Sequence, residues 1–315
     1  MKSTILALVG PTGSGKTKTA IAICDALNAE IVSMDSMQIY RGMDIGTAKP
    51  TKEELAAAPH HMIDICDPET IFTTSMYREM ACQVIDDILE RGKLPLLVGG
   101  TGLYLQAISY EMSLGENGAN SALREELNRI AAQPGGPIEL HRRLETVDPA
   151  SAEKLHPNDI RRVIRALEIY ETSGKTRSEQ GDETRKEGPY HVLVYGLSLP
   201  RDQMYARINA RVDRMMEDGL VQEVQALLDK GISPKPEGGA MQAIGYKEIV
   251  SALQEEMTLE AAVSLIKQSS RRYAKRQWTW FRHDPRTQWF DWTQYASEQD
   301  LLNALIKKIE YDLHN

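Results

Sequence analysis

The fold is constrained most by a glycine-rich segment near the N-terminus, Gly10-Pro11-Thr12-Gly13-Ser14-Gly15-Lys16-Thr17. The segment matches the phosphate-loop pattern G-x-x-x-x-G-K-[ST] at every fixed position. A short apolar, β-prone run at 4–9 precedes it, and residues 16–28 carry apolar side chains at helical spacing. The sequence therefore predicts a strand, a loop and a helix N-terminus whose backbone N–H groups and dipole bind a phosphate group.

Two side chains of this loop are expected to contact the ligand. Lys16 would reach the phosphate oxygens, and the hydroxyl of Thr17 would hold Mg²⁺. The loop predicts a bound phosphate group but does not say whether that group belongs to ATP or to another molecule. A glycine-rich turn that matches by chance is disfavoured, because the strand, the loop and the helix all agree.

Further alternation of strands and helices predicts the fold class. Short β-prone runs lie at 30–34 and 94–98, and a helical pattern lies at 75–91. The second run leads through the segment GGTG at 99–102 into another helix, whereas the polar stretch 36–68 has few regular signals. We expect an α/β protein with a P-loop NTPase-like, doubly wound parallel sheet core, an inserted all-helical domain and a helical C-terminal part.

The pattern changes near residue 112. A polar linker at 113–120 begins a stretch with helical signals and a charged loop, and a strand resumes at 191–197. We expect an all-helical insertion at 112–189 inside a core formed by 1–111 and 190–315. The helices predicted after the resumed strand are about 201–217, 220–230, 246–254 and 259–282, before a last short strand and helix.

Charge and cysteine content limit the partners and the compartment. The 315-residue chain has a net charge of −8, which argues weakly against a nucleic-acid partner, but seven Lys and Arg stand against Asp284 alone between Lys267 and Arg286. No apolar run approaches the roughly 18 residues of a membrane helix. The first residues run straight into the predicted strand, so we expect no signal peptide. Cys24, Cys66 and Cys82 form no CxxC pair, which suits a cytoplasmic protein.

Segments that follow the predicted strands are expected to meet at one crevice, since ligands bind outside the carboxyl ends of parallel strands. Asp35 is the candidate general base. Alone, such a residue is more often an Asx turn at a strand end, but its place beside a phosphate loop favours the base. Thr101 could bind a phosphate oxygen, orient Asp35 or only cap a helix. Arg207 and Arg211, one helical turn apart, could clamp a phosphate or form a solvated charged face.

The reaction class stays open on these motifs alone. A phosphate-loop ATPase usually carries an Asp at a strand end to help hold Mg²⁺, but the strand at 94–98 ends in LLVGGTG without an acid. Asp35 could serve instead, so a small-molecule or nucleotide kinase remains an alternative. A non-catalytic RNA-binding protein with a nucleotide switch is another. His60, His61 and Asp64 lack the further ligands that a metal site needs.

A basic helix with interleaved aromatic residues is predicted at 267–282, with Gln277 near its basic stripe. Basic side chains beside aromatic ones suit a flexible nucleic acid with unstacked bases. A core-packing helix with a solvated charged face is an equally simple interpretation. A second basic cluster lies on a helix of the insertion. The residues of the two clusters are Arg271, Arg272, Lys275 and Arg276, and Arg161, Arg162 and Arg165.

Taken together, these motifs resemble those of the bacterial tRNA dimethylallyltransferase (tRNA isopentenyltransferase) family. The matching segments span nearly the whole chain in family order. They are GPTGSGKT at 10–17, DSMQIYRGMDIGTAKP at 35–50, PHHMID at 59–64, GGTGLYLQA at 99–107, NDIRRVIRALEIYETSGK at 158–175, INARVDRMMEDGLVQEV at 208–224, GAMQAIGYKE at 239–248 and RRYAKRQWTWFR at 271–282. Gly13 departs from the Ala that is more frequent in the family, which should be harmless.

The resemblance implies transfer of a dimethylallyl group from dimethylallyl diphosphate to N6 of the adenosine 3′ of the anticodon in tRNA, with release of pyrophosphate. The phosphate loop would hold an isoprenoid diphosphate, although such loops are often described as nucleotide- or ATP-binding. By resemblance, Asp35 accepts the N6 proton and Thr101 orients that carboxylate or a bridging oxygen. Lys16, Arg207 and a magnesium ion on Thr17 stabilise the departing pyrophosphate.

The resemblance also implies that the insertion and the basic helix grip the anticodon stem-loop. We expect a monomer, although the sequence does not determine the oligomeric state. The expected phosphate contacts are the loop residues 10–17 and Arg211. The expected tRNA contacts are Asp35, Ser36, Met37, Gln38, Thr101, Arg124, Arg161, Arg162, Arg165, Gln242, Arg271, Arg272, Lys275 and Arg276.

Overall fold

Six parallel strands form the sheet in a computed structural model that describes residues 2–111, 121–179, 186–235 and 239–315. In chain order they are β1 (Thr4–Val9), β2 (Ala29–Met34), β3 (His60–His61), β4 (Leu94–Gly99), β5 (His191–Ser198) and β6 (Thr287–Asp291). Across the sheet their order is β3-β2-β4-β1-β5-β6, and every neighbouring pair is parallel. The predicted α/β architecture with a parallel sheet is confirmed.

The described residues form two units. The core unit comprises Met1–Ile108 and Tyr190–Asn315, and the insertion unit comprises Ser109–Pro189. The predicted linker at 113–120 lies outside the described residues. None of the described helices is both long and apolar enough to cross a membrane.

Helices account for most of the remaining described structure. In chain order they are α1 (Lys16–Leu27), α2 (Lys52–Ala57), α3 (Thr74–Glu90), α4 (Gly102–Ser109), α5 (Ser121–Ala131), α6 (Gly136–Val147), α7 (Pro149–Lys154), α8 (Ile160–Ser173), α9 (Arg201–Glu217), α10 (Leu220–Asp229), α11 (Tyr246–Leu253), α12 (Leu259–Arg282) and α13 (Glu298–His314). The helices predicted at 201–217 and 259–282 are confirmed as α9 and α12.

Both faces of the sheet are covered by helices. Leu6 and Leu8 of β1 belong to an apolar cluster with α1 and α13, whereas Ile5, Ala7 and Val9 belong to a cluster with α3, α4 and the end of α12. All five side chains are fully buried. A strand buried on both faces reads as a continuous apolar run, which explains the sequence TILALV.

The strand order creates a topological switch point between β1 and β4. The chain leaves β1 for β2 on one side and leaves β4 for β5 on the other. The loops that follow β1 and β4 therefore diverge and open a crevice at the carboxyl ends of these strands. Crevices of this kind are where open parallel sheets bind ligands.

The stretch 36–68, which has few regular signals in the sequence, contains α2 and β3. Helix α2 begins with a capping box, in which Thr51 and Glu54 each accept a hydrogen bond from the other's backbone N–H. The sequence carries the T-x-x-E signal of this capping box at Thr51 and Glu54, which the prediction of few regular signals did not include. Strand β3 has only two residues, too few to show a period, and pairing with β2 alone defines it.

The loop between β2 and α2 is held by a residue far along the chain. The Glu223 carboxylate on α10 accepts hydrogen bonds from the backbone N–H groups of Asp44 (2.8 Å), Ile45 (2.8 Å) and Gly46 (3.1 Å), and from the hydroxyl of Tyr246 (2.5 Å). These bonds satisfy loop N–H groups that have no partner in a sheet or helix. A local pattern cannot reveal them.

The insertion unit has its own apolar core. Helices α5 to α8 pack around Leu140, Leu144, Val163 and Leu167. The predicted all-helical character of this segment agrees with its described elements, apart from an isolated antiparallel bridge between Tyr110 and Glu187.

Candidate active site

The phosphate loop joins β1 to α1 at the switch point. Gly15 caps α1 with a φ of 91°, a left-handed conformation that favours glycine. The Lys16 ammonium donates hydrogen bonds to the carbonyl oxygens of Gly10 (2.9 Å) and Pro11 (2.8 Å) and so lies over the loop. Desolvation and the nearby Arg211 cation lower the pKa of Lys16 to about 7, although the negative charge of Asp35 opposes this shift.

Asp35 follows β2, and its two carboxylate oxygens have different surroundings. Its Oδ1 accepts hydrogen bonds from the backbone N–H groups of Met37 (2.8 Å) and Gln38 (3.3 Å). These bonds form an Asx turn, so that interpretation of Asp35 is correct as far as Oδ1 is concerned. Within the described ranges no hydrogen bond engages Oδ2. The turn therefore fixes the carboxylate through Oδ1 and leaves Oδ2 available to a ligand.

Thr101 is fastened to the turn that carries Asp35. Its hydroxyl accepts a hydrogen bond from the Ser36 N–H (3.3 Å), and its own N–H donates to the Met34 carbonyl oxygen (3.1 Å). Tyr273 of α12 lies beside Asp35 and Ser36. Desolvation and the charge of Asp35 raise the pKa of Tyr273 to about 12, against the effect of hydrogen bonds with Thr101 and a second α12 side chain. Tyr273 therefore stays a neutral phenol.

The two arginines of α9 take different places around the loop. The Arg211 guanidinium donates a hydrogen bond to the Thr12 hydroxyl (2.9 Å), and desolvation lowers its pKa. The exposed Arg207 guanidinium lies 5.7 Å from the ring centroid of Trp292. That indole in turn donates a hydrogen bond to the Ser14 carbonyl oxygen (3.0 Å). Two cations thus flank the phosphate loop, Arg211 beside Thr12 and Arg207 beside Trp292.

A cavity of about 330 Å³ joins these groups. Its polar lining residues include Thr12 of the phosphate loop, Asp35 and Arg211. Its apolar lining residues include Ile208, Val212, Met215 and Ile266. Such a site can hold an anionic group against the loop and an apolar group beside it.

Comparison with known proteins identifies the family. A family model described as IPP transferase matches residues 38–284. The chain belongs to the IPP transferase family. The tRNA dimethylallyltransferase of Anoxybacillus flavithermus is 44% identical to this IPP transferase over 314 residues, covering 100% of this chain and 98% of that protein. The tRNA dimethylallyltransferase of Halalkalibacterium halodurans is 46% identical over 314 residues, covering 98% and 99%.

Solved structures agree with this membership. The crystal structure of the full-length tRNA isopentenylpyrophosphate transferase from Bacillus halodurans is 43% identical in sequence to this IPP transferase and superimposes with a TM-score of 0.74, covering 100% of this chain and 97% of that one. A eukaryotic dimethylallyltransferase acting on tRNA is 30% identical, with a TM-score of 0.76 over 92% of this chain and 74% of that one. The family resemblance predicted from the motifs is confirmed.

Several predicted tRNA contacts of this IPP transferase lie at the cavity. Ser36, Met37, Gln242 and Arg276 line it. The amide of Gln38 is engaged within its own loop: it donates to the carbonyl oxygens of Thr47 and Ala48 and accepts from the Ser33 hydroxyl. These bonds are 3.3, 3.0 and 3.4 Å long. A direct role of Gln38 in reading a base stays a prediction, and its observed role is to hold the loop.

The basic residues of α12 divide between two environments. Arg272 and Lys275 are exposed. Arg271 donates a hydrogen bond to the Asn209 side chain (2.6 Å) on α9, and Arg276 lies 5.5 Å from the ring centroid of Tyr273. Arg276 is also exposed, so Arg272, Lys275 and Arg276 are presented to solvent in the manner that a backbone phosphate contact requires, whereas Arg271 is half-buried.

The basic residues of the insertion unit are also engaged to different degrees. Arg124 and Arg165 both pair with the buried Glu168 carboxylate, at 2.8 and 2.9 Å. Arg162 pairs with Asp159 at 3.1 Å, and Arg161 is exposed. Arg124 and Arg165 therefore stabilise the unit by neutralising a buried charge, and their contact with tRNA stays a prediction.

Two residues of the site were not predicted as such. Gln277 was placed near the basic stripe of α12, which is wrong: it is 5% exposed and faces the phosphate loop. Trp292, in the 3₁₀ turn Trp292–Gln294, braces the same loop. Helical geometry gives the signal for Gln277, since it lies one turn beyond Tyr273 and one turn before the buried Phe281. Nothing local in the sequence indicates Trp292.

Proposed function

We propose that this IPP transferase moves a dimethylallyl group from dimethylallyl diphosphate to N6 of the adenosine 3′ of the anticodon in tRNA. The observation that carries the proposal is a cavity lined by Thr12 of the phosphate loop, by Asp35 and Arg211, and by apolar side chains. The diphosphate suits the loop and Arg211, and the five-carbon chain suits Ile208, Val212 and Met215. The core is accordingly a P-loop NTPase-like fold that serves an isoprenoid diphosphate.

The diphosphate would bind where the backbone N–H groups of the loop and the dipole of α1 favour an anion. Lys16 adds a positive charge from above the loop. Arg211 adds one from beside Thr12, and Arg207 adds one from beside Trp292. These cations also stabilise the charge that develops on the leaving pyrophosphate.

The chemical step is a substitution at the allylic carbon. The N6 lone pair forms the new N–C bond while the C–O bond to the diphosphate breaks, and pyrophosphate leaves with that electron pair. The N6 amine gains positive charge and gives its proton to Oδ2 of Asp35, which acts as a general base. Thr101 and the turn at Ser36 hold the carboxylate in place.

The residues present fit a magnesium ion that arrives with the substrate. In the described ranges no group of three or more His, Cys, Asp or Glu side chains could hold a metal. The Thr17 hydroxyl would therefore act with diphosphate oxygens and water, an arrangement that Mg²⁺ favours. When bound, the ion would neutralise charge on the departing pyrophosphate.

The partner in this proposal is the anticodon stem-loop of tRNA. The exposed Arg272 and Lys275 on α12 and Arg161 on α8 are the side chains best placed to contact its phosphates. The monomeric state and the cytoplasmic location expected from the sequence stay predictions.

A transfer assay without ATP tests the proposed function. Purified protein, Mg²⁺, tRNA and dimethylallyl diphosphate with a labelled isoprenoid carbon should give labelled tRNA, and inorganic pyrophosphate should compete with the diphosphate substrate. Protein with Lys16→Ala serves as the control and should lose both substrate affinity and transfer. A strict need for ATP hydrolysis, or transfer of the γ-phosphate of ATP to a small molecule, would instead support the kinase alternative.

A further inference from the structure

The side chain of Gln277 joins the two loops that diverge at the switch point. Its Oε1 accepts a hydrogen bond from the Thr12 N–H (2.9 Å), and its Nε2 donates one to the Gly100 carbonyl oxygen (3.1 Å). Thr12 belongs to the loop after β1, and Gly100 follows β4. With only 5% of Gln277 exposed, both bonds are shielded from water, and leaving either partner unsatisfied is costly.

The surroundings of Gln277 are built to keep this bridge in one position. A Cβ atom added to Gly100 would lie 1.9 Å from the Gln277 Nε2, so only glycine lets the amide approach. On α12, Ala274 precedes Gln277 by three residues and Phe281 follows it by four, and both are fully buried. Helix α12 is therefore packed into the core on both sides of Gln277. The Gln277 amide cannot move away from the two loops unless the helix moves as well.

Both loops that Gln277 joins carry groups of the reacting site. On the phosphate side, the Thr12 hydroxyl accepts the hydrogen bond from Arg211. On the other side, Gly100 precedes Thr101, whose hydroxyl accepts from the Ser36 N–H beside Asp35. The two hydrogen bonds of Gln277, the peptide that joins Gly100 to Thr101, and the bond between Thr101 and Ser36 thus connect the phosphate loop to the turn that carries Asp35.

We propose that Gln277 is a positioning residue that fixes the separation between the phosphate loop and Asp35. This inference rests on the proposed function, in which the diphosphate lies on the loop and the attacking amine lies beside Asp35. The Gln277 bridge then sets the distance between the allylic carbon of the diphosphate substrate and the attacking amine nitrogen. A misplacement of about 1 Å at such a point can lower a rate by about 100-fold.

The bridge requires an acceptor and a donor on one planar group, which glutamine supplies. Methionine fills a similar volume but makes neither bond. A glutamate carboxylate can accept from the Thr12 N–H, but its second oxygen faces the Gly100 carbonyl oxygen and repels it. Once protonated, a glutamic acid again offers one acceptor and one donor.

The test measures kcat, the KM for dimethylallyl diphosphate, and binding of that diphosphate without tRNA. Gln277→Met should lower kcat about 10- to 100-fold and change the dissociation constant of the diphosphate by less than about threefold, because the phosphate-binding groups remain. Gln268→Met is the matched control, since Gln268 is exposed on the same helix and should behave as wild type. Circular dichroism and thermal melting establish that each variant is folded.

A pH profile keeps the test decisive if Gln277→Met fails to fold. For Gln277→Glu, the ratio of its kcat to that of the wild type should rise as pH falls from about 8.5 to 6, because a buried carboxyl without a cationic partner takes up a proton in this range. Ionisation of the groups that both proteins share cancels in the ratio. Gln268→Glu should give a flat ratio near one.

The outcomes separate the two proposals. A folded Gln277→Met with the wild-type kcat, or a flat pH ratio for Gln277→Glu, overturns the positioning role while leaving the transferase function intact. A wild-type protein that transfers no isoprenoid to tRNA overturns the proposed function itself and removes the basis of this inference.

Discussion

At the scale of single residues, Lys16 links the charge of the site to pH. Its pKa is lowered to about 7 by desolvation and by Arg211. Well above that pH, the Lys16 side chain in the free protein is therefore largely the neutral amine. A bound diphosphate favours the charged form and raises the pKa again. Binding above pH 7 must therefore take up a proton.

This proton uptake can be measured by calorimetry with dimethylallyl diphosphate in the absence of tRNA. At pH 8.5 the apparent binding enthalpy should depend on the ionisation enthalpy of the buffer, with an uptake approaching one proton, and affinity should fall by up to about tenfold per pH unit above 7. Lys16→Arg keeps a permanent charge and should show no uptake. Buffer-independent binding by the wild-type protein would contradict the prediction.

Asp35 has one oxygen held in a turn and one that serves as the base in the proposed mechanism, and an isosteric change separates the two roles. In Asp35→Asn the amide oxygen can still accept from the N–H groups of Met37 and Gln38, so the turn should persist while the base is lost. The transfer rate should fall by roughly two to four orders of magnitude. Affinity for tRNA, measured by filter binding, should stay within about twofold. Near-normal turnover would remove Asp35 from the chemical step.

At the scale of elements, α12 serves two purposes through two faces. Its buried face carries Ala274, Gln277 and Phe281 into the core unit, and its exposed face carries Arg272 and Lys275. The two interpretations that the sequence left open, a packing helix and a nucleic-acid contact, therefore refer to different faces. The buried face is observed, and the RNA contact belongs to the proposed function.

Charge reversal on the exposed face tests the RNA contact. Arg272→Glu with Lys275→Glu should weaken tRNA binding and reduce the slope of log affinity against log salt by roughly 0.7 to 0.9 per lost phosphate contact. Affinity for dimethylallyl diphosphate should be unchanged. The matched control reverses the charge of two exposed lysines outside α12, Lys230 and Lys307. If the α12 variant is folded and keeps the wild-type slope, the exposed face does not bind tRNA.

At the scale of the whole molecule, the two ends of the sheet have different roles. The reacting groups lie at the carboxyl ends of the strands. At the opposite end of β2, the buried Glu30 carboxylate accepts hydrogen bonds from Arg91 (2.6 and 2.8 Å) and Lys93 (2.7 Å) and pairs with His61 (2.8 Å). These partners connect β2 to β3 and to the turn before β4.

The Glu30 cluster should contribute to stability without affecting the reaction. Hydrogen bonds from Arg91 outweigh burial, with help from Lys93 and His61, and lower the pKa of Glu30 well below its usual range. Glu30→Gln should lower the free energy of unfolding by about 1.5–3 kcal/mol, measured by urea denaturation at pH 7, with kcat unchanged. The stabilisation by the charge is complete above the unfolded-state pKa of about 4.3 and is lost as pH falls below it. The difference between the variant and the wild type should therefore shrink below about pH 4.

The sequence by itself determined the elements whose signals are local. The phosphate loop follows from its motif, β1 from a run buried on both faces, and α9 and α12 from their helical periods. The family followed from motifs in order along the chain. Within the stretch 36–68, where local signals are weak, the prediction missed α2 and β3.

Only the tertiary structure decided which of these elements meet and which side chains join them. Thr12 and Gln277 are 265 residues apart, and no period or motif relates them. A helical period states which residues share a face, but not what that face packs against. The bridge by Gln277 and the contact of Trp292 with the loop depend on the strand order, which places β1 beside both β4 and β5. That order is set by the burial of both faces of the sheet at once, a property of the folded chain and not of any segment.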